Sequence, residues 1–458
     1  DNVENIKMKL SSEIGTYPPW GSDHFIEASA CPYCEYEEGI VDVDGAGWKT
    51  GQLLSKRYLL GRLYMKKQDY AMWRAYDRFL GTACVIVVPE QGPKSGLTYL
   101  AWGTELKKAE SKIRVMALKG IEGRWALVMS IKDTAMTRKE FVHEIHISQT
   151  NPNAAVQFKA GTSRPAQAMQ PGMTIGRNYR ILGILGTERV SISYLCEDIL
   201  LQRIVKIKEF LPEAWAVRGE DGKVTVKSSR QAYAFKCGRE SFMKECRMTA
   251  QFIHSNHFPV VYDYFTLNGT DYMVTEYVVG TSVEEAFENR GQVPYSTDEL
   301  MEIMEPLLEG IQELHDHRII HCNIAPSNIV KATDGRVMLT NMGAAKYQDS
   351  ATSMMSATLL QPDFAAPEQI SKENGENNEG PWTDIYQIGA VMYYLLIGHK
   401  AMDAATRLER DNAELVQAKK YKVKLKKGWM NLLVECTELD YHFRIQTVED
   451  LLAKLKKK

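Results

Sequence analysis

"RIIHCNIAPSNIVK", residues 318–331, decides how the rest of the chain is read. Two short apolar steps, Ile319-Ile320 and Ile329-Val330, bracket a polar loop holding His321, Asn323 and Asn328. Apolar steps at both ends anchor such a loop in a core, so what it presents between them is polar. Its centre carries an imidazole and amides but no carboxylate. Either a chemistry has had one part changed, or a scaffold has been kept without the chemistry.

The bulk properties bound the answer. The chain has 458 residues, more than one ordinary core accommodates, which sets a prior of two to three domains. Hydrophobic residues are 44% and charged residues 25%, as in a globular protein. A net charge of −2 gives no global electrostatic case for nucleic acid. No run of 18 apolar residues occurs, so no segment of this chain is expected to span a membrane. The chain begins at Asp1 rather than Met. That leaves room for a membrane segment beyond either end, with this chain cytoplasmic by itself or as the cytoplasmic part of a longer membrane protein. Eight scattered cysteines make no disulfide framework and suit a reducing cytosol. Only Cys31 and Cys34 have metal-ligand spacing. A structural zinc site needs a second pair, none follows nearby, and two free thiols in a loop are the preferred reading.

Composition divides the chain. "SQTNPNAAVQFKAGTSRPAQAMQPG", 148–172, reads as a linker. Residues 173–278 are mostly strand-like, interrupted by one helix near "GRESFMKECRMTAQFI", 238–253. Residues 298–458 are mostly helical, with 3.6-type spacing in 299–315 and 383–398. Before the linker lies a second, shorter version of the strand-rich part. Tyr58 and Asp77 are 19 apart, as are Tyr179 and Asp198, and the stretches around them align without a gap. Residues 114–141 align in the same way with 260–287. The later copy carries about 25 more residues between the two blocks. Chance alternation in two β-rich segments is the competing explanation, and the matched Tyr and Asp spacings favour duplication.

In order, residues 172–458 resemble a eukaryotic-like bacterial serine/threonine protein kinase. "RIVKIKEFLP" resembles the third strand of that fold and places Lys208 on the phosphate-binding lysine. "FMKEC" places Glu245 on the helix glutamate that pairs with it. "VTEYV" resembles the hinge, with Thr275 as gatekeeper and the backbone of Glu276 and Val278 facing adenine. "HCNIAPSNI" resembles the catalytic loop, "LTNMGAA" the metal-binding segment and "AAPEQ" the end of the activation segment. "GPWTDIYQIGAVMYYLLIG" resembles the helix with a buried aspartate, Asp384, and Arg444 is the implied ion-pair partner of Glu368. The implied fold is α+β: a two-lobed protein-kinase-like unit with a β-rich N-lobe and a helical C-lobe. A truncated, N-lobe-like β-rich module precedes it. The divisions are an N-terminal extension at 1–49, the degenerate module at 50–147, a linker at 148–171, the N-lobe at 172–278 and the C-lobe at 279–458.

The departures fall on the chemistry. A kinase uses one carboxylate to accept the substrate hydroxyl's proton and another to hold Mg²⁺ against the phosphates. Asn323 and Asn341 stand at those two positions. Where the family has G-x-G-x-x-G, this chain has Gly186-Thr-Glu188-Arg-Val-Ser191, and only Gly186 survives. Cys322 replaces the arginine that would receive an activation-segment phosphate. Loss of a general base costs about 10²–10⁴ in rate, so a kinase turning over at about 1–100 s⁻¹ would fall to about 10⁻² s⁻¹ or below. A single Asn for Asp could be drift or one inactivating change. Four departures on four parts argue that the reaction was abandoned.

Lys208, Glu245 and Asn328 are kept. They are read either as a structural pair with a loop brace, or as the remnant of a weak ATP site independent of Mg²⁺. No metal ligands are assigned. The earlier module has Val87 where the later one has Lys208, so no nucleotide is expected there and docking on the kinase-like unit is. "KKYKVKLKK", 419–427, is read as a solvated loop rather than a lipid-facing patch. The reading is a pseudokinase that acts as a scaffold or allosteric regulator of an unidentified protein partner, with no nucleic acid involved. The alternative is a low-activity or atypical serine/threonine kinase, an ATP-dependent phosphoryl or nucleotidyl transferase.

Overall fold

A computed structural model of the chain describes residues 43–131 and 167–457, apart from 46, 50–51, 67–69, 90–112, 123, 202, 349–359, 371–377, 410–424 and 426–427. Cys31, Cys34, the lysine-rich 419–427 stretch except Leu425, and most of the Ser/Thr-rich 348–360 segment therefore lie outside the described residues.

After a two-stranded ribbon, β1 (Val43–Gly45) and β2 (Trp48–Lys49), comes a six-stranded antiparallel sheet. Its strands are β3 (Leu53–Leu54), β4 (Tyr58–Lys66), β5 (Tyr70–Asp77), β6 (Thr82–Pro89), β7 (Ile113–Ile121) and β8 (Arg124–Ile131). They lie in the order β3-β4-β5-β6-β8-β7. A second six-stranded sheet holds β9 (Thr174–Ile175), β10 (Tyr179–Thr187), β11 (Ser191–Asp198), β12 (Arg203–Phe210), β15 (Val261–Leu267) and β16 (Thr270–Glu276). Their order, β9-β10-β11-β12-β16-β15, repeats the first strand for strand.

The repeat extends to register. Tyr58 lies directly opposite Asp77, and Tyr179 opposite Asp198, so the spacing shared in sequence is a cross-strand pairing in space. Register shifts fall between Leu60 and Leu63 and between Leu63 and Met65 in the first sheet. In the second they fall between Ile181 and Gly183 and between Ile184 and Gly186. The shift between Val115 and Ala117 is matched by one between Val261 and Asp263. A bulge re-aims every residue after it, so shared bulges keep the same faces buried in both sheets.

Between β12 and β15 come the ribbon β13 (Ala216–Arg218) and β14 (Val224–Val226), then α1 (Ala232–Ala250). The helix begins six residues earlier than its apolar period suggests, entered by a single 3₁₀ turn at Ser229–Gln231. Phe235 extends the buried face by a turn and packs on Phe210, ring centroids 5.4 Å apart. Gly238 sets the depth of that contact, because a Cβ there would stand 2.6 Å from Phe210 Cζ. A larger residue would push α1 off the strand that carries Lys208.

The two sheets and α1 share one apolar core that includes Trp73 and Ile86 from the first sheet, Ile207 and Tyr264 from the second and Phe242 from α1. Edge strand β7 runs beside edge strand β15. Buried charge crosses this junction. Arg57 holds Asp77 through Nε and Nη2, and its Nη1 reaches Asp263 Oδ1 and the Tyr264 carbonyl, both at 2.9 Å. Lys119 also donates to Asp263, and Arg203 donates to the Met116 carbonyl. Burial works against the Asp263 carboxylate, but Lys119 and Arg57 outweigh it and hold its pKa below the usual range. The segment read as a linker ends earlier than its composition suggests. Ala168 and Met169 are buried, and Gln167 accepts from the Arg218 backbone N–H and, through its carbonyl, from Arg218 Nε. Two apolar side chains at the end of a polar run suffice to dock it.

Beyond Glu276 the chain is mostly helical. β17 (Gly280–Ser282), β19 (Ile329–Ala332) and β20 (Val337–Leu339) form one small sheet, and β18 (Ile319–Ile320) pairs with β21 (Lys346–Tyr347). The helices are α2 (Val283–Asn289), α3 (Thr297–Asp316), α4 (Pro367–Ile370), α5 (Pro381–Ile397), α6 (Ala404–Glu409), α7 (Trp429–Cys436) and α8 (Val448–Leu455). α3 opens on a capping box: Ser296 Oγ accepts from the Glu299 N–H while the Glu299 carboxylate accepts from the Ser296 N–H. α5 is buried on every side from Thr383 to Ile397, as a helix apolar all round must be, and stops at Gly398 with φ +87°. Glu368 on α4 meets Arg444 in a bidentate pair, 2.7 and 3.1 Å, with the arginine side chain fully buried. Removing one member of a buried pair strands the other charge. Arg444→Met is expected to destabilise the helical part by about 3–5 kcal/mol, read as a lowered urea midpoint. A loss below about 1 kcal/mol would show that the Thr383 hydroxyl, 2.8 Å from Glu368, suffices on its own.

Candidate functional site

The loop at 321–328 is shaped from below by α5. Asp384, fully buried, accepts from the backbone N–H of His321 (2.9 Å) and of Cys322 (2.8 Å), and lies 2.9 Å from His315 Nε2. Burial opposes the charge on Asp384, but His315 and the backbone donors hold its pKa below normal. One turn further along α5, Gln387 accepts from the Ile324 N–H and donates to the Cys322 carbonyl. Gln369 donates to the same carbonyl at 2.8 Å. These bonds hold Cys322 at φ +61°, a conformation a non-glycine residue occupies only when its surroundings dictate it. None of them involves the side chain of residue 323.

Above the loop, Asn328 Nδ2 donates to the Asn323 carbonyl at 2.8 Å, and Asn341 Nδ2 lies 3.5 Å from Asn328 Oδ1. Asn341 is left-handed, φ +66°, which asparagine tolerates better than most residues. Asn323 is almost completely buried. The three amides Asn323, Asn328 and Asn341 are thus neighbours, and no carboxylate joins them in the contacts they make.

Lys208 reaches down from β12. Its Nζ lies 2.9 Å from Glu245 Oε1 on α1, 3.2 Å from Glu188 Oε2 and 3.5 Å from Asn341 Oδ1. Glu188 belongs to the turn between β10 and β11 and is held from two sides. Its N–H donates to the Ser191 carbonyl at 2.8 Å, and the Ser191 hydroxyl donates to its carboxylate at 3.0 Å. Burial opposes charge on Glu188, yet Lys208 and Lys206 hold its pKa down. Burial likewise opposes charge on Lys208, and Glu188 and Glu245 push its pKa well up. The ammonium is therefore saturated by side chains of its own chain. Gly186 sits in β10 opposite Ser193, and a Cβ there would meet nothing within 4 Å, so its lack of a side chain leaves open space above the cleft.

At the rear, Thr275 is buried in β16 opposite Lys206. The Glu276 N–H donates to the Val260 carbonyl, and its carboxylate takes Arg336 Nη2 at 2.7 Å. The side chain of Glu276 is thus structural, its carbonyl accepts from the Thr275 hydroxyl at 3.3 Å, and Val278 beyond it is half-buried. The structure brings Lys208, Glu245, Asn341 and Asn328 into one constellation, with Asn323 beneath.

Sequence reasoning missed three features. Lys206 supports Glu188 from the neighbouring outward position of β12. Gln369 and Gln387 brace the loop, and the i+3 spacing of Gln387 from Asp384 was the available signal. Lys346 and Glu379 form a buried ion pair joining β21 to the start of α5, for which the sequence carried no local signal.

Among the described residues, no group of three His, Cys, Asp or Glu side chains could hold a metal ion. The amides at 341 and 328 offer neutral oxygens, poor ligands for Mg²⁺. The cation that would meet phosphate already has two carboxylates. The residues present do not fit a magnesium–triphosphate group.

His321 makes the loop sensitive to acid. Burial lowers its pKa from 6.5 to about 4, and its Nδ1 faces the Asn323 N–H at 3.3 Å, as a neutral ring acceptor does. A histidine depressed in the folded state contributes nothing above its unfolded pKa. Its penalty accumulates as pH falls from 6.5 to about 4, to on the order of 3 kcal/mol. The wild type is expected to lose that much more stability than His321→Gln across this window, measured by urea unfolding at a series of pH values. Parallel curves for the two proteins would refute it.

The sequence profile described as "Protein kinase domain" matches residues 215–455, beginning after Lys208. The chain is 27% identical over 293 residues to serine/threonine-protein kinase PrkC of Bacillus subtilis, covering 62% of this chain and 41% of that protein. It is 31% identical over 237 residues to the probable serine/threonine-protein kinase pknA2 of Bifidobacterium longum, covering 51% of this chain and 28% of that protein. This chain therefore spans less than half the length of either relative. The solved structure "PpkA-294 apo form" superposes with a TM-score of 0.54 at 23% identity, covering 63% of this chain and all of that one, which speaks for the fold.

Proposed function

Because this chain belongs to the protein kinase domain family, we propose that it is a pseudokinase, a kinase-fold binding protein that regulates or scaffolds another protein. The observation that carries this reading is the saturation of Lys208 by Glu188 and Glu245, next to amides at 323 and 341. Phosphate would have to displace a carboxylate that Ser191 holds in place, and a metal would find no negative ligand at 341. Any ATP binding is accordingly weak, carried by the hinge backbone, and indifferent to Mg²⁺. Six free cysteines among the described residues suit a cytoplasmic setting. No helix among those residues is long and apolar enough to cross a membrane.

A second reading, a low-activity serine/threonine kinase, is favoured by one observation: the Lys208–Glu245 pair is formed at 2.9 Å, as in a site arranged for nucleotide. The relatives named above are kinases by name. Two measurements separate the readings. In calorimetric titration, ATP is expected to bind no tighter than about 100 μM, with the same affinity in EDTA and in Mg²⁺. Sub-micromolar binding that needs Mg²⁺ would overturn the pseudokinase reading. Installing both carboxylates, Asn323→Asp with Asn341→Asp, is expected to leave label transfer from ATP to itself or a generic substrate at background, because Glu188 remains on Lys208. Turnover near about 1 s⁻¹ would instead show a site two substitutions from activity.

A further inference from the structure

The first sheet does more than fill space beside the second. The turn joining β5 to β6 carries two carbonyls, Arg78 and Phe79, that face α1. Arg247, two residues beyond Glu245, donates Nε to the Phe79 carbonyl at 2.8 Å and Nη2 to the Arg78 carbonyl at 3.2 Å. The turn is itself fixed. The Asp77 carboxylate accepts from the N–H groups of Phe79 (2.9 Å) and Leu80 (3.2 Å), and the same carboxylate binds Arg57. Arg57 continues to Asp263 and Tyr264, and the Tyr264 ring packs 6.3 Å from Phe242 on α1. α1 is thus held from the first sheet at Arg247 and, through β15, at Phe242.

We propose that the first sheet is a built-in positioning subunit for α1, gripping it at Arg247 and so holding Glu245 against Lys208. The claim extends the pseudokinase reading without depending on it, since it concerns the helix and not what the cleft transfers. A helix packed on a sheet can slide or rotate by an ångström or two, and a partner that contacts one arrangement only selects that arrangement. The fork of Arg247 is well placed for this. Two donors on two successive carbonyls fix both the rotation and the axial position of the helix, which one apolar contact would not. The route from turn to ammonium is a contiguous series of bonded groups: Asp77, the 78–79 carbonyls, Arg247, one half-turn of helix, Glu245, Lys208.

Hydrogen exchange on the full chain, read by mass spectrometry over 239–248 of α1 and over α5 as reference, tests the proposal. Two variants approach the contact from opposite sides. Arg247→Ala removes the fork and leaves a good helix former. Asp77→Ala releases the turn from within the first sheet, with no atom of α1 altered. Both are expected to accelerate exchange in α1 by about tenfold while α5 stays unchanged, as loss of a coupling of ordinary size requires. Arg247→Lys, which keeps the charge and loses the fork, is expected to behave like Arg247→Ala. The proposal is overturned if α1 exchanges at the wild-type rate in Asp77→Ala, even if the first sheet loosens. It is overturned equally if α1 and α5 accelerate together, because the contact is then part of general stability.

Discussion

One ammonium group ties the functional half of the molecule together. Lys208 on β12 meets Glu245 on α1, Glu188 on the turn between β10 and β11, and Asn341 at the entrance to the helical part. Four segments far apart in sequence are fixed by a charge that is almost wholly removed from water. Such a charge is costly unless paired, and here it is paired twice. An anion arriving at Lys208 would compete with two carboxylates already paired with it. The pairing that stabilises the fold is also the pairing a phosphate would have to displace.

The loop beneath keeps its shape without help from the side chain at the family's catalytic position. Its shape depends on backbone groups bonded to Asp384, Gln387 and Gln369. The side chain at 323, where a catalytic carboxylate would stand in the family, takes no part in that bracing. Exchanging it for an amide therefore leaves the loop as it is. Asn341 is similar: left-handed backbone suits asparagine as well as aspartate, so the turn survives while the metal ligand does not. In both places structure and chemistry reside on different atoms of the same residue.

The two sheets extend this separation to a whole module. Lys208 sits opposite Ser193 and Met273, and Val87 sits opposite Met72 and Leu127 at the equivalent place in the first sheet. The ladder and its bulges are common to both, and the functional side chain is not. An isolated sheet leaves edges and faces to cover. Here the edge strand β7 meets its counterpart β15, and Arg57, Lys119, Asp77 and Asp263 neutralise one another within the junction. The first sheet presents a contact surface, and that surface reaches α1.

The sequence by itself determined the family, the order of the elements and the positions at which this chain departs from the family's pattern. Resemblance to the family placed Asn323 and Asn328 in the loop and paired Glu368 with Arg444, while fixed spacing carried Tyr58 and Asp77 repeated as Tyr179 and Asp198. Hairpin register made that last repeat visible, because cross-strand partners keep a constant separation along the chain. Only the tertiary structure decided where Glu188 points, that Ser191 holds it, and that Lys208 is saturated. A turn residue's direction depends on bulges and on the far wall of the cleft, neither of which is local. The structure alone also joined Arg247 to a turn on the other sheet and buried Lys346 against Glu379. Pairs this remote in sequence leave no spacing to read, since the chain between them sets no distance. Such partners are chosen by packing, once burial has made an unpaired charge too costly to keep.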